Sequence, residues 1–316
     1  MVSNPRTLVL SLVLTAVALL GFSTPSFAQD NENVLAQLSG TSEMTVERSK
    51  WGVSYFNFSS SDMAGMNRGG ASWSIYQYLS LNYYLDYNQK ISLRPTFITN
   101  TAGYDAGGNA KQLQTQAHDF ALTYSNYSLA SFPGEWDLSG TFYLYAPTSQ
   151  SAQDKRWAAH VASWLIFTKV LDRNWALTYN MKPHYWFNTQ KAYRKTSTRT
   201  FPDGGSSTRI FAENNQMAEL THYLELSRYW NRIFTPQLAV GFTHEWYTDS
   251  DQADSRPAVQ EYLTVQPSTW IFVNRKLKFI AGVSNQVNIR DRRGEPFRLF
   301  REEDNQYYIM TFWSLM

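Results

Sequence analysis

The sequence predicts an all-β chain: a transmembrane antiparallel up-and-down β-barrel of about twelve strands, with short turns at one end and long loops at the other. Three observations carry this. From Trp51 onward apolar and polar side chains alternate with a period of two, the period of a strand with one apolar face and one polar face. The connections between these segments are short and long in strict turn. A mean hydropathy of −0.42 also coexists with 11 Trp, 20 Tyr and 19 Phe in 316 residues, as expected of a wall that is wet on one side and apolar on the other.

The N-terminal stretch reads differently. Leu8 to Phe22 is apolar, follows Arg6, and precedes Ser26 and Ala28, small residues at the third and last positions before a cleavage point. This is the anatomy of a secretory signal peptide. Its core of about 15 residues is shorter than the ~20 needed to cross a bilayer as a helix. The expected organisation is a signal peptide over 1–28, a periplasmic N-terminal segment without strand pattern over 29–48, and the barrel over 49–316. The absence of Cys excludes disulfide scaffolds, thiolate metal sites, cysteine nucleophiles and lipidation of a Cys behind the cleavage point. With 28 basic and 26 acidic residues there is no electrostatic case for nucleic acid as a partner.

The strands are expected at 49–59, 72–86, 90–101, 116–130, 135–146, 155–169, 175–188, 216–229, 233–247, 258–272, 276–289 and 305–316. In the second, Ile75, Leu79, Leu81, Tyr83 and Leu85 share one face, while Ser74, Tyr76, Tyr78, Ser80 and Asn82 share the other. In the third, Ile91, Leu93 and Phe97 oppose Ser92, Arg94 and Thr96; in the fifth, Trp136, Leu138, Phe142 and Leu144 oppose Asp137, Ser139, Thr141 and Tyr143. In the seventh, Leu177, Tyr179, Met181 and Tyr185 oppose Thr178, Asn180, Lys182 and His184. Short turns fall at Tyr87–Gln89, Ser131–Gly134, Leu171–Asn174, Trp230–Arg232 and Val273–Arg275, and long loops near 60–71, 102–115, 147–154, 189–215, 248–257 and 290–304.

Together with a final strand running through Tyr307, Tyr308, Ile309, Met310, Thr311, Phe312 and Trp313, these features resemble the Gram-negative outer-membrane β-barrels over residues 49–316. The resemblance implies closure into a barrel with an even number of strands, short periplasmic turns and long outer loops. It also implies outer-membrane lipid, lipopolysaccharide and the barrel-assembly machinery as partners. Such barrels usually end in an aromatic residue. This chain ends in Met316, so recognition by that machinery falls to Phe312 or Trp313.

One face of each strand then lines a lumen. Arg94, His160, Lys182, His184, Glu219 and Glu225 take the inward parity and form the expected selectivity region; Asp119, Asp137, Arg156, Glu245 and Lys278 share that parity. Both signs of charge are present, which suggests ion pairs across the lumen, a narrow pore or a plugged interior rather than a wall built for one class of ion. Centring the turn between the sixth and seventh strands on Asp172 sets His160 opposite His184, Ala162 opposite Lys182, Trp164 opposite Asn180 and Arg156 opposite Asn188. Two adjacent imidazoles could be ordinary polar lining, a metal pair completed by a carboxylate, or a pH-sensitive constriction. A bridge from Lys182 to Glu219 or Glu225 is expected. His222 and His244 fall on the lipid parity. The basic loop from Lys191 to Thr208 and the run from Arg290 to Arg301 could meet lipopolysaccharide phosphates or fold inward.

The expected function is a narrow passive channel for small polar solutes. Alternatives are a lumen-sited or surface enzyme acting on lipid or lipopolysaccharide, and a non-conducting structural or surface-interaction barrel. No catalytic residue, metal or cofactor is assigned: no His-x-Ser-Asn-Gly run, Asp-x-His pair or His-Glu-x-x-His motif occurs.

Overall fold

The computed structural model describes residues 49–67, 70–104, 110–200, 206–251, 253, 259–289 and 299–315. The expected signal peptide, the segment 29–48, Asp203 to Gly205, Arg290 to Arg298 and Met316 lie outside them.

Twelve antiparallel strands close into a barrel. They are β1 (Trp51–Asp62), β2 (Trp73–Tyr84), β3 (Gln89–Arg94 and Thr96–Asn100, interrupted at Pro95), β4 (Gln114–Ala117 and Phe120–Phe132), β5 (Trp136–Ala146) and β6 (Trp157–Val170). The rest are β7 (Trp175–Asn188), β8 (Gln216–Arg228), β9 (Phe234–Tyr247), β10 (Val259–Phe272), β11 (Leu277–Asn288) and β12 (Asn305–Ser314). Every expected strand is present, within a few residues at each end. Pro95 splits β3 because a prolyl nitrogen has no hydrogen to give the ladder. Closure is made by β1, which pairs with both β2 and β12: Ser54 faces Ser80 on one side and Ser314 on the other. A closed sheet leaves no edge to be satisfied in lipid.

The side-chain distribution is inverted relative to a water-soluble protein. The largest fully buried side chains include Asn82, Asn285, Thr123 and Thr235, whereas Leu81, Leu122, Leu144, Leu224, Leu238 and Val240 are exposed. Polar groups fill the inside and hydrogen-bond one another: the Asn82 amide oxygen accepts from Ser80 and Ser92 hydroxyls, and its nitrogen donates to Ser54 Oγ. The exposed leucines form the outward face. This is the arrangement that period-two alternation produces when the medium outside is lipid.

The two ends differ as expected. At one end Asp86, Asp172, Asn231 and Asn274 each turn the chain by accepting backbone N–H groups two or three residues on, the Asx geometry that makes these residues good turn formers. The remaining short turn contains Gly134 and Glu135, at φ 82° and 63°, in the left-handed region. At the other end stand the long loops. They carry the short helices α1 (Met63–Asn67) and α2 (Gln150–Asp154) and a hairpin, Ala192–Thr200 paired with Ser206–Asn214, where sequence reading gave only a basic loop.

Candidate functional site in the lumen

The turn between β6 and β7 centres on Arg173, one residue later than expected, because the Asp172 carboxylate accepts the N–H groups of both Asn174 and Trp175. The hairpin register moves with it. His160 faces Trp186, Ala162 faces His184 and Ile166 faces Asn180. The two histidines are therefore diagonal neighbours rather than opposite partners, yet they still meet: His160 Nε2 lies 3.0 Å from His184 Nδ1.

A β-bulge between Trp157 and Ala159 changes the parity at the start of β6. An extra residue reverses which face the following side chains take. Trp157, and not Arg156, stands opposite Asn188. Arg156 precedes the strand and is exposed, so its expected place on the lumen wall is corrected. Parity could not have revealed Trp157, since the bulge inverts the rule at that residue.

These residues belong to a stack of rings crossing β5, β6 and β7. Tyr143 stacks on Tyr145 at 5.7 Å and 6°, and Tyr145 on His160 at 4.5 Å and 11°. His160 in turn stacks on Trp186 at 4.4 Å and on His184 at 5.1 Å. Trp157 touches both His160 and Trp186, at 6.3 and 5.8 Å.

Arg94 extends the stack onto β2. Its guanidinium lies over the Tyr78 ring at 4.9 Å and the Tyr143 ring at 5.4 Å. Beyond it Tyr78 stacks on Phe56 at 4.9 Å, Phe56 meets Phe312 at 5.0 Å, and Phe312 stacks on Trp270 at 5.4 Å. Trp270 sits near the short-turn end of β10, and His160 near the long-loop end of β6. The rings therefore climb the inner wall from one end of the barrel toward the other.

Lys182 repeats the pattern of Arg94. Its ammonium stands 4.2 Å from the centroid of Trp164 and 5.1 Å from that of Tyr223, and Trp164 is fixed by donating from Nε1 to Asn180 Oδ1 at 2.8 Å. The expected bridge from Lys182 to a carboxylate is not formed within 4.0 Å; ion pairs that do form include Lys195 with Glu213 and His244 with Glu261. Glu219 accepts from Gln216 and Thr221 instead, and Glu225 from Ser227. Both cations are held by aromatic faces, an attraction worth roughly 0.5–2 kcal/mol according to solvation.

The six expected residues do not form one cluster. His160 and His184 touch, Glu219 faces His184 across the β7–β8 ladder, and Lys182 lies one step along the same wall. Arg94 joins them only through Tyr143 and Tyr145, and Glu225 lies nearer the short-turn end. Phe56, Trp157, Tyr223 and Trp270, to which sequence reading assigned no role, and Phe312, expected as a recognition residue, complete the wall.

His222 and His244 lie on the outer wall, as their parity requires. Their Nε2 atoms are 3.4 Å apart, and His244 Nδ1 is 3.2 Å from Glu261 Oε1. Among the described residues no group of three His, Asp or Glu side chains has the geometry to hold a metal ion.

No protein-family model and no curated protein matches the chain. Among solved structures it is similar to the COG4313 outer membrane channel from Pseudomonas putida F1, with a TM-score of 0.50, 13% identity, and coverage of 85% of this chain and 97% of that one. The chain has the fold of an outer-membrane β-barrel. A looser likeness reaches the Pseudomonas putida toluene transporter TodX, with a TM-score of 0.41, 8% identity, and coverage of 92% of this chain and 94% of that one. In this outer-membrane barrel the lumen, with its rings and its two caged cations, is the candidate site.

Proposed function

We propose that the protein is a narrow passive channel for small polar solutes in the outer membrane of a Gram-negative bacterium, with its long loops outside. The observation that carries this reading is the track of rings along the inner wall, with Arg94 set into it and Lys182 seated on two further rings. A lumen filled only for stability needs neither a continuous track nor cations seated on aromatic faces. Rings offer shallow, repeated stacking sites, and the two cations give a passing polar group an attraction weak enough to leave again, which conduction requires. Likeness to the COG4313 outer membrane channel is in keeping with this reading at the level of fold.

Planar-bilayer recording of the purified, folded protein tests it. Discrete current steps that grow with salt are expected. A folded protein that passes no current up to molar salt would sink the channel.

A second reading, an enzyme acting on lipid, draws on the outer wall. Glu261, His244 and His222 stand in a chain, the arrangement of a base oriented by a carboxylate, among leucines that would face acyl chains. Release of fatty acid from phospholipid or lipopolysaccharide, lost in His244→Ala, is its test; no release discards it.

A further inference from the structure

A cavity of about 1220 Å³ opens at the long-loop mouth, between the segment around α2 and the base of the Ala192–Asn214 hairpin. Its charged lining is Arg156, Arg194 and Asp154, and its ring walls are Trp157, Tyr193 and Phe211.

The carboxylates here are engaged. Asp154 accepts from Gln150 Nε2 at 2.7 Å, and Glu213, behind the wall, takes the Lys195 ammonium at 3.2 Å and the Tyr193 hydroxyl at 2.7 Å. The arginines are not engaged by the described residues. Neither guanidinium makes a hydrogen bond or ion pair with a described residue. A further cation, Lys155, stands over the Trp157 ring at 4.8 Å and the Tyr193 ring at 5.6 Å. Arg156 and Arg194 thus offer unspent positive charge beside aromatic faces.

It is also built rather than incidental. Arg156 is held at φ 53°, a left-handed conformation that a residue with a side chain seldom takes without a reason, while its carbonyl accepts from both the N–H and the hydroxyl of Thr189, at 3.1 and 2.8 Å. The hairpin base is pinned by Asn215, whose fully buried side chain donates to the carbonyls of Lys155 and Gln190 at 3.0 and 2.8 Å. The bulge that follows Arg156 aims Trp157 so that one indole both lines the cavity and touches His160 and Trp186 of the lumenal track. Trp157 Nε1 and Trp186 Nε1 are buried donors without acceptors among the described residues, a state that calls for a missing partner.

We propose that this cavity is a binding site for small carboxylated ring compounds, taken up at the mouth before passage along the lumen. A carboxylate satisfies an arginine fork, and a planar body fills the space between Trp157, Tyr193 and Phe211. The step into the lumen rests on the channel reading; the binding site itself does not.

Titration calorimetry on the full folded protein, with benzoate, benzyl alcohol, benzylammonium and inorganic phosphate as probes, tests the proposal. Benzoate is expected to bind, and the neutral alcohol, the cation and phosphate to bind at least about tenfold more weakly. Arg194→Gln, an exposed change, and Arg156→Gly, which keeps the left-handed backbone available, are each expected to weaken benzoate severalfold. Equal binding of benzoate and benzylammonium, or unchanged benzoate affinity in both variants, overturns the site. Tighter binding of phosphate than of benzoate also overturns it, and points to a lipopolysaccharide headgroup instead. Bilayer recording on the same preparation separates the two proposals. Current without benzoate binding removes this site and leaves the channel, whereas benzoate binding without current does the reverse.

Discussion

His160 and His184 are diagonal neighbours two ladder positions apart on adjacent strands, yet their ring nitrogens approach to 3.0 Å while His160 sits flat between Tyr145 and Trp186. The contact is a product of stacking: three parallel rings fix the imidazole plane, and the diagonal neighbour reaches its edge. Removing the ring opens a gap in the track. His160→Ala is expected to lower stability by about 1–3 kcal/mol and to raise single-channel conductance. The midpoint of heat-induced unfolding on gels and the bilayer current measure the two effects, and a variant unchanged in both refutes the role.

Lys182 is a wall cation with two carboxylates farther along the same inner face. Lys182→Met keeps the apolar stem against Trp164 and removes the charge. The ratio of cation to anion permeability is expected to rise by roughly twofold or more, read from the reversal potential in a salt gradient. No shift would place Lys182 off the conduction path.

Gly241 faces Tyr223 across the β8–β9 ladder, and a Cβ there would collide with the His222 carbonyl oxygen and with Tyr223. The bare glycine lets the Tyr223 ring lie on the wall beneath Lys182. Gly241→Ala is expected to cost about 1–3 kcal/mol by overpacking and to release Lys182 from its ring, so stability and permeability ratio should change together.

Asn215 satisfies two carbonyls from two different loops. Asn215→Ala leaves both without their donor in a buried place, at a cost of about 1–3 kcal/mol. Since those carbonyls belong to the loops and not to the barrel, the expected outcome is faster hydrogen exchange and proteolysis near residues 189–195, with the barrel's own melting little changed.

Leu224 is exposed at 48% near the middle of β8, where the outer wall should meet acyl chains. Leu224→Arg is expected to destabilise the membrane-inserted barrel by about 2–4 kcal/mol, measured by denaturant titration in vesicles. A neutral result would mean that this face does not meet lipid.

The amino-acid sequence by itself determined the strand count, the parity of nearly every wall residue and the contrast between the two ends. These properties are local: alternation with a period of two needs only neighbours along the chain, and turns such as Asp172-Arg173-Asn174 announce themselves by composition. The inward places of His160, Lys182, His184, Glu219 and Glu225, and the outward places of His222 and His244, followed from that parity alone. What needed the tertiary structure was everything that depends on the relation between strands. A single carboxylate, Asp172, shifted the β6–β7 register by choosing which N–H groups to accept; a bulge turned Trp157 inward and left Arg156 outside. Lys182 meets aromatic faces because rings from β6 and β8 reach it, and the mouth cavity lies between loops that Asn215 ties together. Charge and periodicity are written residue by residue, whereas register, ring stacking and cavities are set by which side chains meet once the sheet has closed.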